Sequence, residues 1–144
     1  MAITLSTWQF WAVLSAVFAA LTAIFAKVGV DGVNSDFATF IRTLVVIVVL
    51  GAIVVATKQY QSLRAISPKT YLFLTLSGLA TGASWICYFR ALKIGDASQV
   101  APIDKLSVVL VAVFAALFLG ERLSPSGWVG VILIAAGALL IARR

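Results

Sequence analysis

Five apolar stretches, each closed by polar or glycine-containing residues, organise this chain, and their lengths read as helices long enough to cross a bilayer. The first covers approximately residues 8–26 and ends at Lys27. After VGVDGVNSD, where Asn34, Ser35 and Asp36 are available as N-caps, a Val- and Ile-rich second span covers 37–57, interrupted early by Arg42. The loop KQYQSLRAISPK closes on Ser67 and Pro68, a capping residue followed by proline at the first helical position, which starts a third span over 70–92. Gly95 stops it, and Asp96 and Ser98 can cap a fourth over 98–119. Gly120 ends that one before Ser124 and Pro125 open a fifth over 125–142. The last apolar run, 128–142, is short by a turn for an average bilayer, and starting the helix at Pro125 repairs most of the deficit. It lacks the charged face that a helix lying on the membrane surface requires.

The pattern predicts an all-α membrane protein, a five-span transmembrane helical bundle forming a single domain over 1–144. An odd number of spans places the two termini on opposite sides of the membrane. Composition agrees: 62% of residues are hydrophobic and 11% charged, against about 45–50% and about 25% in soluble domains. The formal charge of +6 would suggest nucleic acid in a soluble chain, but the basic residues sit mostly at span ends, where headgroups and water meet them. Cys87, the single cysteine, lies inside an apolar run, so no intrachain disulfide is possible. With no histidine and no nucleophile, base and orienter together, neither a metal site, an organic cofactor nor an enzyme is predicted. The first apolar run lacks a basic n-region and is followed by four more, so it reads as a retained span in the cell (inner) membrane.

Loop charge is nearly balanced. One face receives Lys58, Arg64, Lys69 and Arg122, the other Lys27, Lys93, Arg143 and Arg144, while Arg42, Arg90 and Lys105 fall within apolar segments. Orientation follows an asymmetry of Lys and Arg between short loops, and here the chain offers little of it unless the embedded cations are counted with the second face. Insertion in both orientations and insertion in one remain open.

Each embedded charge is costly in hydrocarbon, about 2.5–3.5 kcal/mol at the bilayer centre on insertion scales, and so marks either a site or a snorkelling side chain. At about 1.5 Å per residue, Arg42, Arg90, Asp104 and Lys105 all lie about 8–10 Å in from one face. The three cations have stems long enough to reach headgroups; Asp104 does not, so its carboxylate must be neutral, hydrated or paired. Adjacent residues on a helix point about 100° apart, which argues against Lys105 as its partner and favours Arg42 or Arg90. The layer reads as a water-accessible gate or binding layer or as a structural interhelical pair. Its excess of positive charge, with the helix start at 98–102, suits an anionic or zwitterionic solute.

Gly78 and Gly82 form GxxxG in the third span, flanked by Ser77, Thr81, Ala83 and Ser84, a stripe that predicts close helix packing. Trp85 and Tyr88 follow, and could face a substrate cavity. Trp8, Trp11, Tyr60, Tyr71 and Trp128 fit an interfacial aromatic belt, and Glu121 with Arg122 a helix-end pair.

The stretch ALKIGDASQVAPIDKLSVVLVAVFAALFLGERLSPSGWVGVILIAAGALLI resembles the last two helices of an EamA-type repeat of the drug/metabolite transporter superfamily. WQFWAVLSAVFAALTAIFAKVGV and SGLATGASWICYFRALKIGD resemble the first and third helices, so the likeness spans essentially the whole chain; GDASQVAP and LGERLS are its more specific segments. Most members carry two repeats and ten spans, and this chain resembles the single-repeat branch. Many members have a proline soon after the API segment, where this chain has Asp104, Lys105, Leu106, Ser107 and Val108, so their substrates do not carry over. The resemblance implies a secondary transporter, an exporter of small metabolites, with a central cavity between two repeats. Because duplicating a five-span unit inverts the second copy, a lone unit needs a partner inserted the other way, which predicts an antiparallel, dual-topology homodimer. A non-transporting assembly subunit, with the embedded charges as an interhelical lock, is the competing reading. A four-span proton-coupled exporter is disfavoured because the first span holds no carboxylate.

Overall fold

The computed structural model describes residues 7–143, and among these residues there is no strand. Helices α1 (Trp8–Gly29), α2 (Ser35–Ala56) and α3 (Pro68–Ile94) are continuous, and a single 3-10 turn, Leu63–Ala65, stands between the last two. The fourth apolar stretch is divided into α4 (Ala97–Asp104), α5 (Ser107–Phe114) and a π-helical turn, Ala115–Leu119; α6 (Pro125–Ala142) completes the chain. Taken as crossing segments they number five, of 22, 22, 27, 23 and 18 residues. The chain is therefore a multi-pass membrane protein.

The helix ends are set by local chemistry. Asn34 caps α2, its Oδ1 accepting from the backbone N–H of Asp36 at 2.9 Å and of Phe37 at 3.2 Å. Ser67 and Ser124 accept from the N–H of Thr70 and Gly127, each at 3.1 Å, ahead of Pro68 and Pro125. At the far end of α2 the N–H of Gln59 reaches the Val54 carbonyl and that of Lys58 the Val55 carbonyl, both at 3.2 Å, a Schellman closure with Lys58 left-handed at φ 54°. Gly120, also left-handed at φ 67°, ends the π turn, where its N–H and that of Glu121 both reach the Ala115 carbonyl.

The fourth stretch departs from the single helix that its apolar pattern predicts. Pro102 has no N–H to give to the ladder. Just beyond it, the N–H groups of Leu106, Val108 and Val109 bond to the carbonyls three residues back, at 3.0 Å each, rather than four. The α-helix therefore stops at Asp104, with Lys105 as its C-cap. Apolar periodicity does not register such a break, because the residues on either side remain apolar enough for one span.

Two compact units make up the chain. In Val28–Lys93 the buried side chains include Val30, Ser35, Thr39, Phe89 and Leu92. The hydroxyls of Thr39 and Thr43 donate to the Ser35 and Thr39 carbonyls, so they are satisfied on their own helix. In the other unit α4 and α5 pack on α6, with Ala112, Ala115, Val131 and Ala138 buried, and the Lys27 Nζ donates to the Gly95 carbonyl at 2.8 Å. Small side chains let helices approach closely where no solvent drives them together. Only 6% to 11% of each apolar window is buried within the chain, leaving residues such as Phe18, Val48, Leu74 and Leu117 facing outward toward lipid.

Gly120 and Gly51 provide a matched test of backbone conformation, since a Cβ added to either meets nothing within 4 Å, yet only Gly120 is left-handed. Gly120→Ala is expected to destabilise by roughly 1–2 kcal/mol through strain alone, while Gly51→Ala should be neutral or stabilising by up to about 1 kcal/mol. Denaturation midpoints in mixed detergent micelles measure both; equal shifts would refute the assignment.

Candidate functional site

Within Val28–Lys93, Arg42 rises from α2 two turns after Ser35 and lays its guanidinium over α3. Its Cζ stands 3.9 Å from the centroid of the Trp85 ring and 5.6 Å from that of Phe89. The face of an aromatic ring attracts a cation that has left water, but it offers an N–H group only a weak π contact in place of an oxygen acceptor. The Nη1 of Arg42 is accordingly enclosed with no hydrogen-bond partner. Tyr88, half-buried, lies close enough on α3 to interact electrostatically with the same guanidinium.

Nearer the ends of these helices a second cation is fully engaged. The Arg90 Nε donates to Asp36 Oδ1 at 2.9 Å and its Nη2 to Asp36 Oδ2 at 2.6 Å, a bidentate pair between the last turns of α3 and the first turn of α2. Asp36 is well placed there, since a carboxylate at a helix start meets the positive end of the backbone dipole. One turn further along α3, the Lys93 Nζ donates to the carbonyl of Val33. Two side chains of α3 thus grip the turn that leads into α2. Both partners of the ion pair are exposed.

On α3, among the described residues, nothing lies within 4 Å of a Cβ built on Gly78 or Gly82.

In the other unit, the Lys105 Nζ lies 3.2 Å from Asp104 Oδ2. Within its own unit Asp104 is thus met by its neighbour, where the sequence favours Arg42 or Arg90 as its partner. The backbone of Lys105 is still α-bonded, its N–H reaching the Ala101 carbonyl at 3.2 Å, and it is the long lysine stem that bends across to the neighbouring carboxylate. Arg90 is taken by Asp36, and Arg42 by the aromatic rings. Asp104 is half-buried and Lys105 exposed. A groove of about 420 Å³ in the same unit is lined by Ser98 and Gln99 from α4 and Leu140 and Ile141 from α6.

Of the residues singled out from the sequence, Arg42, Trp85, Tyr88 and Arg90 fall in one unit, and Asp104 and Lys105 in the other. Asp36 carries a larger part than its capping position suggested. The sign of this was the stem of Arg90, long enough to reach back toward the end of its helix, where Asp36 was the available carboxylate.

Five apolar helices, short connections and charges carried inside the apolar stretches define a polytopic membrane protein. The profile of the EamA-like transporter family matches residues 6–143, and the chain belongs to that family. A protein of Sinorhizobium sp. described as an uncharacterized transporter in the cobO 3′ region is 66% identical over 136 residues, covering 94% of this chain and 96% of that relative. No solved structure matches the chain.

The ion pair predicts non-additive mutants. Asp36→Asn and Arg90→Gln should each lower the melting temperature in detergent, and the double mutant should be no worse than the poorer single, because each single change strands a charge. Strictly additive losses would show the pair to be uncoupled.

Proposed function

We propose that the protein is a secondary transporter that exports small anionic or zwitterionic metabolites across the cell (inner) membrane, working as an antiparallel homodimer by alternating access. The observation that carries this reading is the set of five spans among the described residues, all within the stretch that the family profile matches. A single five-span unit has no inverted companion of its own, and inverted repeats are what alternating access uses. The near balance of loop cations permits insertion in both directions, and the unpartnered Gly78 and Gly82 give a second copy a surface to approach. Arg42, Arg90, Trp85, Tyr88, Asp104 and Lys105 form the substrate and gating set. In this scheme Asp36 and Arg90 latch α2 to α3, and the break after Asp104 lets its carboxylate exchange partners.

The competing reading, a non-transporting subunit in which charges only lock helices together, draws on the same bidentate Asp36–Arg90 pair. It has no use for the guanidinium donor of Arg42 that meets no acceptor.

Orientation is tested with reporter fusions at Met1 and Arg144, each expected to give signals from both sides of the membrane. Adding Lys to one face should trap one orientation and abolish transport, with activity returning on co-expression of the oppositely biased mutant. Failure of that complementation would exclude the antiparallel dimer. Asp104→Asn should lower transport by about tenfold or more with unchanged expression, as loss of a charged partner at a gate implies; unaltered uptake kinetics would remove Asp104 from the mechanism.

A further inference from the structure

The geometry points to Arg42 as the receptor for a carboxylate on the transported solute, with Trp85 holding the guanidinium in place; the assignment of the anion to the solute rests on the transporter reading above. Four observations converge on it. The guanidinium carries five N–H donors in a rigid plane that matches a carboxylate edge to edge. The guanidinium carbon stands over the Trp85 ring at 3.9 Å from its centroid, and Nη1 is enclosed without an acceptor. The polar groups nearby on α2 are committed elsewhere: Thr39 and Thr43 to backbone carbonyls, Asp36 to Arg90. Finally, the side chain does not snorkel. It is directed to Trp85, nine residues and about 14 Å before the end of α3, whereas Arg90 stands four residues from that end.

Arg90 shows by contrast what satisfaction looks like in this protein, since its fork receives both oxygens of a carboxylate. A solute carboxylate would give Arg42 the same complement. Because Nη1 is closed off, the solute is received only as the packing of α2 against α3 relaxes, so binding and conformational change are tied together. A lysine could not serve, because its ammonium is a point charge with no plane to stack.

The test uses the full chain in neutral maltoside detergent, where neither a gradient nor membrane orientation enters. In a Trp8→Phe, Trp11→Phe, Trp128→Phe background, the emission of Trp85 reports on its guanidinium neighbour. Sodium acetate at constant ionic strength should change it saturably, and acetamide, neutral and of the same shape, should not. Arg42→Gln should weaken the acetate response by at least about tenfold. Arg42→Lys, which keeps the charge, is expected to weaken it similarly and serves if the glutamine variant does not fold. A parallel titration with dioleoylphosphatidylglycerol separates a headgroup phosphate from a solute. No saturable response to acetate, an equal response to acetamide, an unchanged half-saturation in the variants, or a response to the lipid alone would each overturn the assignment. Acetate binding in a protein that fails to transport would leave the receptor standing and count against the transporter reading instead.

Discussion

A polar group that leaves water with its helix has to find its complement inside the protein, and the arrangement of this chain follows from that demand. The hydroxyls of Thr39 and Thr43 turn back onto their own helix. Arg90 closes on Asp36, Lys105 on Asp104, and Lys27 and Lys93 on backbone carbonyls at the turns. These interactions bind elements that otherwise present apolar surface, and they do so where hydrophobic burial contributes little, because lipid is as apolar as the side chains it covers. Arg42 is the exception. It is accommodated by aromatic faces that compensate its charge but not its donors.

Much of this was legible in the residues. Five apolar runs and the punctuation between them are read directly as five helices, because length, capping and glycine stops are local properties. Asn34, Ser67 and Ser124 cap, and Gly120 terminates, where side-chain chemistry requires it. The division of the fourth stretch was not legible. Pro102 can sit inside an apolar helix with modest distortion, and whether the ladder re-forms after it depends on neighbours that the local pattern does not name.

The partners of the charges were harder still. Depth arithmetic puts Arg42, Arg90, Asp104 and Lys105 at one level, but a level is not a contact. A long stem reaches up or down by more than a helical turn, and Arg90 uses that reach toward Asp36 while Arg42 turns to Trp85. Family membership supplies the framework in which such charges act, and the 66% identical relative, matched over 96% of its length, is described as an uncharacterized transporter. The framework does not say which cation meets which partner.

The change of bonding between Asp104 and Ser107 has a mechanical side. A continuous helix behaves as a stiff rod, so a push at one end is delivered at the other. A rod with its ladder interrupted near the middle is an articulated strut, and here its two segments, Ala97–Asp104 and Ser107–Phe114, each have their own seat on α6. The joint between the two halves carries a carboxylate and an ammonium, so the interruption in the ladder is also where this span concentrates its charge.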